Sequence, residues 1–168
     1  MYLGTPGEAV PPLHALVDAG FDVALVVSRA DTRRRRGGAH QPSPVKAAAL
    51  ALGLAVTDQV DDVVEVGAEL GVVVAYGRII RPPMLAALAM VNLHFSRLPR
   101  WRGAAPVERA ILAGDDRTGV DLMAVEEGLD TGGLYRRAKL AIGADETAAE
   151  LRARLVAAGT VLLVDALT

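Results

Sequence analysis

The sequence predicts an α/β fold: a Rossmann-like open sheet, mostly parallel, with helices on both faces, in a single domain spanning 1–168. Three observations lead there. Short β-rich apolar runs alternate with helix-like segments along the whole chain, the pattern of parallel strands joined by helical crossovers. The 168 residues, 52% of them apolar, suffice for one domain with its own core and no metal or disulfide staple. No internal repeat, low-complexity tract or composition break divides the chain. In such a sheet, ligands bind beyond the C-terminal strand ends, near a switch in strand order.

Met1–Leu3 is a very short first strand, closed by the turn Gly4-Thr5-Pro6-Gly7. Glu8–Ala19 reads as a helix; Pro11 and Pro12 are tolerated near its start, where an N–H has no intrahelical partner, and Gly20 ends it. Phe21–Val27 is a β-rich run, followed by a polar, arginine-loaded loop over Ser28–Gln41. Ser43 caps a helix with Pro44 in its first turn, which runs to Leu52 and stops at Gly53. Leu54–Val56 is a strand, Val60–Leu70 a helix and Gly71–Ala75 a fully buried strand. The pattern continues with a helix over Met84–Ala89, a strand over Met90–Phe95 and a helix over Ala105–Ala113. Strands at Val120–Val125 and Leu134–Ile142 precede a last helix over Glu146–Ala166, with Gly159 its interior weak point.

Composition excludes several function classes. The absence of cysteine removes a disulfide framework, a cysteine-ligated metal and a cysteine nucleophile. Aromatics at 4% do not supply a stacking platform for single-stranded nucleic acid. The 18 basic and 20 acidic residues nearly cancel, so any nucleic-acid contact has to come from local patches. The apolar runs Val23–Val27 and Val72–Ala75 fall far short of the roughly 20 residues a spanning helix needs. With no basic lead before a long apolar stretch, no signal peptide is read. The expectation is a cytoplasmic protein with no membrane partner.

The strand Val91-Asn92-Leu93-His94-Phe95 carries the most information. Alternation puts Val91, Leu93 and Phe95 on one face and Asn92, His94 and Ser96 on the other. A central parallel strand is ordinarily apolar on both faces. A polar trio therefore marks either a cleft or a buried cluster satisfied by hydrogen bonds. A second polar turn, Glu126-Glu127-Gly128-Leu129-Asp130-Thr131-Gly132, follows a later strand; on its own it fits a solvated hairpin, because Gly and Asp favour turns for backbone reasons.

The spelling around these residues carries a resemblance. Asn92-Leu93-His94-Phe95-Ser96-Arg97-Leu98-Pro99, Trp101-Arg102-Gly103-Ala104-Ala105-Pro106 and Gly128-Leu129-Asp130-Thr131-Gly132 resemble the catalytic domain of the methionyl-tRNA formyltransferase family. Gly4-Thr5-Pro6, Ala9-Val10-Pro11, Ser43-Pro44-Val45-Lys46 and Ala75-Tyr76-Gly77 fit the same family in the same order. The Asn-His-Asp pattern is shared with other folate-dependent formyltransferases; the Gly-Thr-Pro, Pro-Val-Lys and Arg-Gly-Ala-Ala-Pro elements are narrower.

The resemblance implies a formyltransferase fold, 10-formyltetrahydrofolate as the donor, no metal, and initiator methionyl-tRNA as the partner supplying a primary amine. It implies Asn92, His94 and Asp130 as catalytic residues. Asn92 and His94 would donate to the oxyanion formed on amine attack, His94 would help move the amine proton, and Asp130 would hold the imidazole or an ordered water. Tyr76, Gly77, Ser96, Arg97, Leu98 and Pro99 would line the folate site. Arg33, Arg34, Arg35 and Arg36 would meet the acceptor end of the tRNA, whereas an arginine run alone reads as a solvated loop. A second basic stretch holds Arg78, Arg81, Arg97, Arg100 and Arg102.

Other readings stay open at this stage. Ser96, His94 and Asp130 contain the residue types of a serine hydrolase, but no Gly-x-Ser-x-Gly elbow occurs. His14, His40 and His94 are scattered, without a His-Glu-x-x-His motif. Family enzymes usually continue into a second, barrel-like domain that helps hold tRNA, whereas this sequence stops at Thr168. That departure admits a free-standing enzyme formylating an amino-sugar nucleotide, or a folate- or tRNA-binding module without turnover. The first strand is shorter than usual, Arg29-Ala30-Asp31 stands where relatives often have Gln-Pro-Asp, and Arg97 stands where leucine is usual. A long cation at Arg97 either snorkels to solvent, its stem covering apolar surface, or clashes with the donor. Oligomeric state is not read from the sequence.

Overall fold

A computed structural model of the chain describes residues 1–33, 40–60 and 66–168. A seven-stranded sheet runs in the order β5-β2-β1-β6-β7-β8-β9. Its strands are β1 (Tyr2–Gly4), β2 (Val26–Val27), β5 (Val56–Thr57), β6 (Gly71–Val74), β7 (Met90–His94), β8 (Arg117–Ala124) and β9 (Leu134–Ala141). Pairing is parallel from β5 to β7 and antiparallel from β7 through β9. The mostly parallel sheet expected from the alternation of elements is present. Between β1 and β2 the chain moves one way along the sheet; later it returns to place β6 on the other side of β1. The switch in strand order thus lies at the ends of β1 and β6, where Thr5 Oγ1 donates to the Tyr76 carbonyl at 3.1 Å.

One sheet face packs Tyr2, Val72, Val74, Val91, Leu93, Val120 and Leu122 against α1 (Val10–Asp18), α2 (Pro44–Ala51), α4 (Pro106–Leu112) and α5 (Ala148–Leu167). The other carries Leu3, Val27, Val73 and Met90 against Met84 of α3 (Pro82–Ala87). Helix cover is therefore uneven among the described residues. Where β7, β8 and β9 run beyond α3, loops rather than helices close the second face. None of the described helices is long and apolar enough to cross a membrane.

Several boundaries differ from expectation for physical reasons. The run Phe21–Val27 pairs only at Val26–Val27, although Val23 and Leu25 are buried. The polar loop Ser28–Gln41 contains a two-stranded ribbon, β3 (Thr32–Arg33) with β4 (His40–Gln41). Arg34, Arg35 and Arg36 lie outside the described residues, and Arg33 is described in its backbone alone. Much of the expected helix Val60–Leu70 also lies outside them; residues 66–70 are not helical, and Gly67 adopts φ +67°. The strand expected from Val120 starts at Arg117 instead, because Gly119 lets β9 approach closely: a Cβ there would sit 2.2 Å from the Ala138 carbonyl oxygen. The last helix starts at Ala148 rather than Glu146, since Thr147 and Glu150 close a reciprocal cap. Gly159 is no mere weak point: a Cβ there would meet Val120 Cγ2 at 3.1 Å, so the glycine lets α5 approach the sheet. The Ser43 cap forms as expected, accepting from Lys46 N at 3.0 Å.

Candidate active site

Strand β7 alternates as its sequence requires. Val91 and Leu93 enter the α5-side core, while Asn92 and His94 lie on the opposite face. Asn92 is half-buried, and its side-chain amide has no hydrogen-bond partner among the described residues. His94 is almost fully buried, at 6% exposure. Its Nε2 lies 3.0 Å from the Trp101 carbonyl oxygen. A carbonyl only accepts, so in this arrangement Nε2 carries the hydrogen. The other ring nitrogen, Nδ1, lies 3.5 Å from Asp130 Oδ2. That same oxygen accepts from Gly103 N at 2.7 Å. His94 and Asp130 thus come together, fixed by two backbone groups of the segment 96–103, with Asn92 two residues before His94 on the same strand face.

Backbone strain concentrates around this spot. Among the described residues, the non-glycine positions with positive φ are Ala75, Trp101, Ala105 and Asp130. Ala75 follows β6, Trp101 and Ala105 lie in the loop after β7, and Asp130 sits in the turn after β8. Non-glycine residues persist in such conformations where surrounding contacts over-determine them.

Sequence reasoning missed the residues that hold the 96–103 loop. Asp121 of β8 is fully buried and stands opposite His94 on one side and Arg137 of β9 on the other. Arg137 donates from Nε and from Nη2 to the two Asp121 oxygens, each at 2.6 Å. Asp121 Oδ2 also accepts from Leu98 N at 2.9 Å, and Arg137 Nη2 donates to the Leu98 carbonyl at 2.8 Å. The hydrogen bonds from Arg137 to Asp121 push the guanidinium pKa up from its ordinary value. Further along, Asp115 accepts from Arg100 and from Trp101 Nε1. Hydrogen bonding from Arg100, and secondarily from Trp101, holds the Asp115 carboxyl below the usual carboxylate range. One signal for Asp121 was present in the sequence: a carboxylate between Val120 and Leu122, inside the apolar run 120–125.

Of the candidate folate residues, only Arg97, Leu98 and Pro99 border either of two clefts among the described residues. Arg97, Leu98 and Pro99 line one of roughly 360 Å³, with Arg100, Asp115, Arg117 and Arg137 among the other walls. The Arg97 stem lies on Gly119, and its buried Nε has no hydrogen-bond partner among the described residues. A second cleft of roughly 500 Å³ lies between Pro82, Leu85 and Ala86 of α3 and the turn Val125–Gly128. Tyr76 is buried and Gly77 exposed at φ +76°, both in the loop that leads from β6 to α3. Ser96 is fully buried, and its Oγ donates to the Arg100 carbonyl at 2.7 Å. A serine hydrolase arrangement is therefore not formed, since the His94 nitrogens face Trp101 and Asp130. Among the described residues, no group of three or more His, Asp or Glu side chains is arranged to hold a metal ion.

Comparisons with known proteins agree with this architecture. The formyl transferase family model matches residues 4–167. The methionyl-tRNA formyltransferase of Heliobacterium modesticaldum is 46% identical over 176 residues, covering 99% of this chain and 56% of that protein. That of Dinoroseobacter shibae is 49% identical over 177 residues, covering 99% of this chain and 59% of that protein. The chain thus spans somewhat more than half the length of these curated relatives. Among solved structures, the phosphoribosylglycinamide formyltransferase of Streptococcus pneumoniae superposes with a TM-score of 0.82 at 23% identity, covering 99% of this chain and 94% of that one. An N-formyltransferase of Helicobacter canadensis, solved in complex with folinic acid and dTDP-3-aminofucose, gives 0.80 at 21% identity, covering 99% and 61%. At such identities these structures bear on the fold alone.

Proposed function

The chain belongs to the formyl transferase family, and from that premise we propose that it transfers a formyl group from 10-formyltetrahydrofolate to the amino group of initiator methionyl-tRNA. The observation that carries the proposal is the placement of His94 Nδ1 3.5 Å from Asp130 Oδ2, with Asn92 two residues earlier on the same strand face and its amide uncommitted. The names of the relatives at 46% and 49% identity support the choice of acceptor.

The residue types suit a direct attack. The uncharged amine forms a bond to the formyl carbon, which becomes four-coordinate and carries an oxyanion. The Asn92 amide donates to that oxygen; a positioned donor of this kind is worth roughly 3–4 kcal/mol. The amine proton passes to His94. Because Nε2 is committed to the Trp101 carbonyl, the proton goes to Nδ1, on the side that this nitrogen shares with the Asp130 carboxylate. The imidazolium so formed faces the Asp130 carboxylate. It then returns the proton to the donor nitrogen as the old carbon–nitrogen bond breaks. That nitrogen is conjugated to an aryl ring and leaves more easily than an alkyl amine. Such acid–base help typically contributes about 10²–10⁴. The sequence expectation made His94 a second oxyanion donor; the Trp101 contact favours the proton-carrying share of its role.

In this reading Tyr76 and Gly77 frame the donor site from the β6 side, while Arg97, Leu98 and Pro99, which line the smaller cleft, and the buried Ser96 are assigned to it by the family resemblance. The cleft between α3 and Val125–Gly128 offers partly apolar walls for a fused ring. Arg33, Arg34, Arg35 and Arg36 serve the tRNA phosphates. The test offers labelled donor with charged initiator tRNA, an amino-sugar nucleotide and water in parallel. Label on the methionyl amine supports the proposal; label on the amino sugar overturns the acceptor, and donor binding with no transfer to any of them overturns the enzyme.

A further inference from the structure

We propose that Asp121 and Arg137 are positioning residues, which set the His94 imidazole and the Asp130 carboxylate by clamping the backbone at Leu98. The activity part of this inference rests on the formyl-transfer reading above; the geometric part does not. His94, Asp121 and Arg137 stand side by side on adjacent strands β7, β8 and β9. The Asp121–Arg137 pair grips Leu98 at both of its backbone groups, N–H on the carboxylate and C=O on the guanidinium. A second anchor lies at Asp115, which takes Arg100 and the Trp101 indole. Between and beyond these anchors the loop offers the Trp101 carbonyl to His94 Nε2 and the Gly103 N–H to Asp130. Trp101 does so at φ +62°, a conformation held by its surroundings rather than by its own preference.

Stability alone does not account for this arrangement. The neighbours Val120, Leu122 and Met123 are buried and apolar. An apolar residue at 121 would fill the same space without desolvating a carboxylate, and buried ion pairs are weak contributors to stability. A bidentate guanidinium–carboxylate pair fixes geometry instead, since its two parallel hydrogen bonds leave little freedom.

Arg137→Lys keeps the cation but loses the fork, and Asp121→Asn keeps an acceptor for Leu98 N–H but loses the charge. With 28% of its side chain exposed, Arg137 tolerates lysine without burying an unpaired charge, which keeps the test valid if the asparagine variant does not fold. Two readouts are taken: the ring-nitrogen NMR signals of His94 in the free protein, and kcat and KM for formyl transfer. In folded Arg137→Lys the His94 signals should shift from a fixed Nε2–H form toward a mixture. The kcat should fall on the order of ten- to a hundredfold, as for small misplacements of catalytic groups, with KM for the amine little changed. Arg154→Lys, at the remote pair with Glu146, should leave the His94 signals in place. Unchanged His94 signals in folded Arg137→Lys overturn the inference. Shifted signals in a chain that formylates no acceptor uphold the clamp and overturn the function instead.

Discussion

Asp130→Asn isolates charge from shape at the candidate centre. Asparagine adopts positive φ as readily as aspartate, so the conformation at φ +51° is preserved. Its side-chain oxygen still accepts from Gly103 N–H, so the loop contact survives. What is lost, on the proposed mechanism, is the attraction between a carboxylate and the imidazolium that would form as His94 takes the amine proton. At 3.5 Å, between side chains 7% and 13% exposed, that attraction is roughly 5 kcal/mol for an effective dielectric of about 20. In the proposed mechanism this attraction arises only as the proton is transferred, so nearly all of the loss falls on the transition state. Each ~1.4 kcal/mol is a factor of ten in rate, which sets a ceiling of about 10³ on the fall in single-turnover rate. The assay follows labelled formyl transfer to charged tRNA under saturating donor, with circular dichroism and thermal melting as fold controls. Asp130→Ala should be as slow or slower, and less stable, because it also orphans the Gly103 N–H and strains a residue at positive φ. Folded Asp130→Asn working within threefold of the parent rate would refute the proton-transfer role given to His94.

Other expectations test separate parts of the argument. Ala105, the residue before α4, sits at φ +53°; Ala105→Gly removes the clash of its Cβ and should stabilise the fold by about 1 kcal/mol, read as a higher melting temperature. The Asp115 carboxyl is held low by Arg100 and Trp101, so the stability it contributes is present above its unfolded-state pKa and lost as pH falls through the lowered folded value. Asp115→Asn should therefore show a shallower loss of stability over that acid range in denaturant titrations repeated across pH, and an unchanged slope would remove the anchor. Replacing Arg33, Arg34, Arg35 and Arg36 by serine should flatten the dependence of tRNA affinity on salt by roughly 0.7–0.9 log units per lost phosphate contact. An unaltered slope would exclude that loop as a contact.

How much of this was legible in the sequence depends on what kind of atom does the work. Asn92 and His94 stand out because polar side chains there break the apolar pattern of a buried strand, whereas Asp130 suits a turn on its own and is marked only by the motif its neighbours spell. The alternation of β7 placed Asn92 and His94 on one face correctly, since period two is a property of any strand. The partners that orient them were not legible. The Trp101 carbonyl and the Gly103 N–H belong to the backbone, which every residue carries, so no residue type announces them. Their placement depends on positive φ at Trp101 and on a carboxylate–guanidinium pair assembled from two later strands.

The same distinction explains where the elements depart from expectation. β8 began earlier than its apolar run because Gly119 admits the Ala138 carbonyl, a fact about a neighbour 19 residues away. Gly159 is a weak point of α5 by propensity, yet Val120 and Phe95 pack against it. In each case the residue's meaning lies in what approaches it. Asp121 is the decisive example. Within its strand it reads as an error in an apolar run; opposite Arg137 and beneath Leu98 it becomes the fixed point from which the loop reaches His94. A buried charge in an apolar strand is thus a reason to look for the backbone it holds, before asking what stability it contributes.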